Sequence, residues 1–155
     1  MKVQAVLVTG GSGFLGGALL RYLAACKQYS LIAALRNECR ELPQSIRRFA
    51  FADLASDIDW QDALEQVDVV VHSAARVHVM AESAADPVAE FRRVNVEASL
   101  NLARQAAKAG VKRFIYLSSI KVNGEFTQPG CAFAADDSPD PVDPYGISKL
   151  EAELA

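Results

Sequence analysis

The sequence has little cysteine and no long apolar run. Cys26, Cys39 and Cys131 are the three cysteines in 155 residues, an odd number, and no two share the spacing of metal ligands. That excludes a disulfide scaffold and a cysteine-based metal centre, and no other metal site is expected. Small reduced residues of a cytosolic protein are left. No stretch approaches the roughly 18 consecutive apolar residues of a membrane span. Met1-Lys2 leads straight into Val3–Val8, a run too short for the apolar core of a secretory signal, so a cytoplasmic protein is expected. Neither charge sign dominates: 16 Lys+Arg stand against 19 Asp+Glu, a net charge of -3, which disfavours broad nucleic-acid binding. Internal repeats and low-complexity segments are absent. The remaining composition, 51% hydrophobic and 23% charged, suits one globular domain.

Apolar runs without strict alternation alternate with helical patterns. Val3–Val8, Ser30–Leu35, Arg47–Ala52, Val67–Ser73 and Arg113–Ser118 read as buried strands. Gly13–Cys26 has helical apolar spacing, and Asp59–Gln66 reads as a short helix that Asp57 or Asp59 caps. A long helix is expected from Asp86-Pro87 to Gly110, with Asp86 at its N-cap and Gly110 at its C-terminal stop. Asn123–Asp143 reads as a loop, and a last helix starts near Pro144. Strands buried on both faces and joined by helices predict an α/β fold. The expected architecture is a doubly wound parallel sheet of Rossmann type, in three α/β/α layers, with strand order 3-2-1-4-5. The ending "GISKLEAELA" lies mid-helix without a cap. Residues 1–155 are therefore expected to be the N-terminal, dinucleotide-binding piece of a longer chain.

"VTGGSGFLGG" carries the first chemistry. It follows a strand and opens a helix, the context of a dinucleotide fingerprint. Gly10 makes the tight turn, Gly13 has no side chain to block a pyrophosphate, and Gly16 lets the helix approach closely. Free N–H groups and the helix dipole then face the phosphates. The tip of the second strand, Leu35-Arg36-Asn37, has no carboxylate for the ribose hydroxyls, and Arg36 there suits a 2′-phosphate. NADP is favoured over NAD, and both stay open. In "YGISK", Tyr145 and Lys149 stand one helical turn apart. A free phenol titrates near pH 10, and a neighbouring ammonium and nicotinamide ring lower that value. Tyr145 then takes a hydroxyl proton as hydride leaves the same carbon, while Lys149 also holds the nicotinamide ribose.

Thr9–Gly16, "TGGSGFLG", matches T-G-x-x-G-[FY]-[LI]-G and resembles the extended short-chain dehydrogenase/reductases, the NAD-dependent epimerase/dehydratases of nucleotide sugars. The resemblance places Phe14 and Leu15 in the cofactor loop and Asp53, with Leu54 in "FADL", at the adenine amino group. It lays Ser73, Ala74 and Ala75 along the cofactor and Asn95 on its nicotinamide side. It also implies Ser119 as the catalytic serine beside Tyr145 and Lys149, with Ser118 as the neighbour next in line. His72 is expected as a buried structural histidine, and His78 is the weaker candidate to approach substrate. Two departures stand out. Val122-Asn123-Gly124 replaces Val-Tyr-Gly, and Ile120-Lys121 replaces the Asp-Glu pair of the 4,6-dehydratases, which argues against a dehydratase.

The expectation is then a nucleotide-sugar 4-epimerase that exchanges hydride reversibly between sugar C4 and a nicotinamide cofactor. The alternatives are an NADPH-dependent nucleotide-sugar 4-ketoreductase and a non-catalytic NADP-sensing protein. The implied partner is a nucleotide-diphosphate sugar, with no nucleic acid and no membrane. The full-length protein is expected as a homodimer joined through the two long helices. The piece of 155 residues lacks the substrate lobe and is expected to be inactive on sugars.

Overall fold

The valine-rich runs become strands because branched side chains pack well on a pleated surface covered from both sides. The computed structural model of the protein describes residues 3–54, 57–77 and 86–155. Among these, β1 (Gln4–Thr9), β2 (Tyr29–Leu35), β3 (Arg47–Ala50), β4 (Val69–His72) and β5 (Arg113–Tyr116) form one sheet. All pairings are parallel, and the order is β3-β2-β1-β4-β5, as the sequence predicts. Val8 lies between Ala33 on one side and Val71 on the other.

Period-two alternation divides the strand residues between two cores. Leu7, Ile32 and Val70 pack with Trp60, Leu64, Ala98 and Leu102. Val6, Val8, Leu31, Ala33 and Val71 pack with Leu20, Leu42 and Ile46. The first core lies under α2 (Gln61–Leu64) and α4 (Ala98–Lys108), the second under α1 (Phe14–Cys26). These are the three layers expected of a doubly wound α/β fold. Among the described residues no helix is long and apolar enough to cross a membrane.

The strand ends differ from expectation by a residue or more. β4 begins at Val69 because Asp68 is a bridge rather than a ladder residue. Its N–H donates to the Ala5 carbonyl at 2.9 Å, and its Oδ2 accepts from the Ala5 N–H at 3.1 Å. The short helix α2 is also narrower than expected. Asp59, not Asp57, accepts from the Gln61 N–H at 2.9 Å, and Gln66 ends the segment in the left-handed region at φ 60.

The single helix expected from Asp86 to Gly110 is interrupted. It consists of α3 (Pro87–Arg92), a π-helical turn over Arg93–Glu97, and α4. Its ends match: Asp86 Oδ1 accepts from the Ala89 N–H at 3.0 Å, and Gly110 stops the chain at φ 79. In the wide turn the Ala98 N–H reaches back five residues to the Arg93 carbonyl. Such turns are frequent at functional sites. The final helix α5 (Pro144–Leu154) is capped by Asp143, whose Oδ1 accepts from the Gly146 N–H at 2.6 Å.

Candidate functional site

β1 delivers Thr9 to the carboxyl edge of the sheet, where the order reverses between β2 and β4. Gly10 turns the chain there at φ 70, and the Gly13 N–H donates to its carbonyl at 2.9 Å. A Cβ on Gly10 would lie 2.9 Å from the Ala74 nitrogen, and one on Gly16 would collide with the Gly10 carbonyl. Gly16 therefore lets α1 sit on its own entry turn, more than on the sheet as the motif implies. Gly11 was not singled out in the sequence, yet its Cβ would come within 2.8 Å of Leu20 Cδ1. The doubled glycine was the available signal. Gly13 caps α1 without a side-chain hydrogen bond, and the first turn carries no acidic residue. The N-cap thus offers the first turn of α1 no side-chain acceptor.

Beside this turn lies a cleft of about 660 Å³. That is the size of a small-molecule site. It gathers most of the expected cofactor residues: Gly10, Gly13, Phe14, Leu15, Gly16, Arg36, Asp53, Leu54, Ser73, Ala74 and Ala75. Phe14 is 96% exposed at its mouth. Ser73 turns its hydroxyl back to donate to the Thr9 carbonyl at 2.6 Å. Arg36 is exposed at the end of β2. Glu90 and Arg93, from the helical segment, and Arg76, from the loop after β4, also line the cleft and carry no sequence signal, because nothing local marks which polar side chains face a distant loop.

Asn95, Ser118, Ser119, Tyr145 and Lys149 lie outside the lining of this cleft. They come from the segment after β5, from α5 and from the π turn, farther along the sheet edge. Ser118 and Ser119 instead line a second cleft of about 400 Å³ with Asn123, Asp137 and Glu153. Ser119 follows β5 and caps a 3₁₀ turn over Ile120–Val122, its Oγ accepting from the Lys121 N–H at 3.2 Å. Such a hydroxyl still has its own hydrogen to donate. A Cβ on Gly146 would lie 2.8 Å from the Lys121 carbonyl, so the first turn of α5 rests directly on the 3₁₀ turn. Lys121 Nζ ties the two together, 2.9 Å from Asp143 and 2.7 Å from Glu125. Lys121 is thus engaged in fixing α5. His78 lies outside the described residues.

A chain of buried hydrogen bonds joins the glycine turn to α5. Ser99 Oγ donates to the Asn95 carbonyl at 2.7 Å, so it accepts from His72 Nε2 at 2.8 Å. The other ring nitrogen, Nδ1, is then unprotonated and accepts from Thr9 Oγ1 at 2.7 Å, while the Ala74 N–H donates to that hydroxyl at 3.1 Å. Asn95 Nδ2 donates to the Arg76 carbonyl and to Ser148 Oγ, both at 2.9 Å, and its Oδ1 accepts from the Arg76 N–H at 2.7 Å. Ser148 Oγ in turn donates to the Tyr145 carbonyl at 2.8 Å. His72 is thus a fully buried structural histidine, as expected. The Asn95 amide is engaged inside the protein, between the loop after β4 and α5. Its sequence signal named the residue but not this use.

Burial, and then the charge of Lys149, hold the His72 pKa down at about 3, against 6.5 for an ordinary histidine. The unfolded chain binds a proton between those values and the native state does not, so stability falls as pH drops from about 6.5. A His72→Asn variant, measured by urea unfolding between pH 7 and 5, is expected to be less stable at pH 7. It should also lose part of the pH slope, to which one such histidine adds up to about 1.4 kcal/mol per pH unit.

Lys149 is 2% exposed, with Nζ 3.9 Å from the centroid of the Tyr116 ring. Burial pulls its pKa down to about 8, and Glu153 pushes weakly the other way. The unfolded chain holds the proton up to the ordinary lysine range, so stability rises with pH from about 8 to 10.5 as the folded lysine loses its charge. Burying a charge without a carboxylate partner costs stability. Lys149→Met is accordingly expected to raise the melting temperature at pH 7 by a few degrees, about 1 kcal/mol or more, while weakening dinucleotide binding. Calorimetry with a dinucleotide titration checks both signs. Tyr145 lies on the same helix with its ring 6.3 Å from that of Phe91.

A parallel sheet in this order, with a glycine turn at its switch point, is a Rossmann-type α/β protein. The chain belongs to the NAD dependent epimerase/dehydratase family, whose model matches residues 6–155. It is 42% identical over 150 residues to a UDP-glucose 4-epimerase of Vibrio cholerae, a match covering 97% of this chain and 45% of that protein. It is 35% identical over 139 residues to the decarboxylating sterol-4-alpha-carboxylate 3-dehydrogenase ERG26 of Candida albicans, covering 80% of this chain and 37% of the relative. Among solved structures, MoeE5 in complex with UDP-glucuronic acid and NAD is similar with a TM-score of 0.79 and 31% identity, over 97% of this chain and 47% of that one. A UDP-N-acetylglucosamine 4-epimerase from Methanobrevibacter ruminantium M1 gives a TM-score of 0.80 at 27% identity, over 99% and 49%. The chain spans about half the length of these relatives.

Proposed function

We propose that residues 1–155 are the dinucleotide-binding part of a nucleotide-sugar 4-epimerase, with Ser119, Tyr145 and Lys149 as its catalytic groups. The observation that carries the reading is Lys149, a lysine buried one turn from Tyr145 on a helix that rests on the Ser119 turn. A lysine buried there costs stability, and supporting a phenolate is the role we assign to it. The glycine turn and its cleft fit a dinucleotide. The pyrophosphate would meet the uncapped start of α1, with Asp53 and Leu54 at the adenine and Ser73, Ala74 and Ala75 along the middle. Arg36 favours NADP over NAD, although MoeE5 was solved with NAD.

When bound, the nicotinamide supplies reversible hydride exchange with sugar C4. Tyr145 takes the proton of the C4 hydroxyl and later returns it. Ser119 donates a hydrogen bond to the same oxygen, and the Lys149 ammonium steadies the tyrosine charge and holds the ribose. Asn95 acts through Ser148 and Arg76 to fix α5 against the loop after β4. The substrate is a nucleotide-diphosphate sugar gripped by a lobe beyond residue 155, and the full-length protein pairs as a homodimer in the cytoplasm.

The second reading, a nucleotide-sugar 4-ketoreductase with the same three groups, is favoured by the exposed Arg36, since a net reductant is typically NADPH. Stoichiometry separates them. The epimerase interconverts C4 epimers of a UDP-sugar with no net change in NAD(P)H absorbance. One NADPH consumed per product would mark the reductase.

A further inference from the structure

The structure shows what orients Asp53, which the sequence does not. Asp53 lies in the turn after β3 with its side chain 54% exposed, so solvent alone would leave it several rotamers. Two donors fix it: the Leu54 N–H at 2.9 Å on Oδ1, and Arg93 Nη2 at 2.9 Å on Oδ2. Arg93 is itself fixed. Its Nε donates to Glu90 Oε2 at 2.9 Å and its Nη2 to Glu90 Oε1 at 2.8 Å, while Nη1 reaches the Leu54 carbonyl at 3.5 Å. A planar guanidinium held by a carboxylate on one side is a rigid fork on the other. It opens the π turn, and Asp53, Leu54, Glu90 and Arg93 all line the cleft.

We propose that Arg93 is a positioning residue for base specificity: by fixing Asp53 it makes the cleft select an adenine dinucleotide over its hypoxanthine counterpart. This rests on the dinucleotide reading above and on Asp53 meeting the base. Each carboxylate oxygen retains a second acceptor position after its first bond, and a carboxylate accepts only. The 6-amino group of adenine donates to it. Hypoxanthine presents a 6-carbonyl there, and two acceptors face each other without a proton. Discrimination of this kind is large only when the acceptor cannot turn away, and the Arg93 fork prevents that turn. The same cation offsets Asp53 and Glu90, so that two carboxylates at the cleft wall do not repel an anionic ligand.

The test titrates the full-length protein with NAD⁺ and with nicotinamide hypoxanthine dinucleotide, for wild type, Arg93→Gln, Asp53→Asn and the double variant. Wild type is expected to prefer NAD⁺ by about tenfold or more, since one hydrogen bond to a charged group separates the two ligands. Arg93→Gln should bring the ratio close to one chiefly by weakening NAD⁺, with the melting temperature nearly unchanged. Asp53→Asn should do the same, and the double variant should add nothing, the signature of two residues acting as one. Retention of the wild-type ratio in Arg93→Gln would overturn the proposal. So would equal weakening of both ligands, or fully additive effects. A wild type that binds both dinucleotides equally removes the role of Asp53 and this inference with it. One that binds neither these nor NADP⁺ removes the dinucleotide reading itself, and one that binds only NADP⁺ is tested in the same way with NADP⁺ and its hypoxanthine counterpart.

Discussion

In the full-length protein, Tyr145→Phe is expected to lower kcat about a thousandfold, within the range for loss of a positioned general acid–base. The substitution removes one oxygen and leaves the ring that faces Phe91 6.3 Å away. The backbone carbonyl of residue 145 still accepts from Ser148, and Asp143 still caps the helix. Dinucleotide affinity should therefore change by less than about threefold and KM for the sugar nucleotide only modestly, since the missing contact matters most while the proton moves. A protein that only senses dinucleotide would keep its function after the same change. Steady-state kinetics with a parallel binding titration distinguishes the two.

Gly16→Val should have the other large effect, on binding rather than on chemistry. Even a methyl at residue 16 meets the Gly10 carbonyl and comes within 2.8 Å of Ser73 Oγ. Neither neighbour can yield cheaply. The Gly10 carbonyl accepts from the Gly13 N–H, and the Ser73 hydroxyl donates to Thr9. Relief has to come from lifting α1 off its entry turn, which takes its first-turn N–H groups away from where we propose the pyrophosphate binds. Overpacking of this kind costs about 3 kcal/mol of stability, and a branched side chain adds to it. Dinucleotide affinity is expected to drop about a hundredfold or more in whatever fraction folds, roughly the loss of two hydrogen bonds to a charged group. Gly13→Ala is the informative contrast: its Cβ would come no closer than 3.2 Å to the Gly10 carbonyl, so the fold should survive and the loss be confined to binding.

The topology was legible because each level of the sequence agreed. Val69, Val70 and Val71 read as a strand buried on both faces and are one. Asp86, Gly110 and the residues around Pro144 mark helix ends by backbone chemistry that acts within four residues. The candidate site was legible only where a motif is contiguous. Thr9–Gly16 and Tyr145 with Lys149 are local patterns, so their spacing carries the information. Arg93 and Glu90 look like any exposed pair three apart on a helix, and only the fold brings them to Asp53. The π turn was invisible for the same reason. Ser99 and Asn95 are ordinary helical residues until His72 and Ser148 arrive from distant segments to complete their hydrogen bonds. Gly11 is the opposite case: it sits inside the motif but outside its three-residue period, and only the packing against Leu20 shows why it is glycine.

The central claim is that Tyr145, Ser119 and Lys149 work on the sugar C4 oxygen beside a dinucleotide that returns what it takes. The most direct measurement follows a UDP-hexose deuterated at C4, incubated with the full-length protein in ordinary water. The account predicts that both C4 epimers accumulate with the deuterium still on C4 and with no net dinucleotide reduction. Deuterium lost to solvent during epimerisation, or no epimer formed by a protein that binds both ligands, would contradict it.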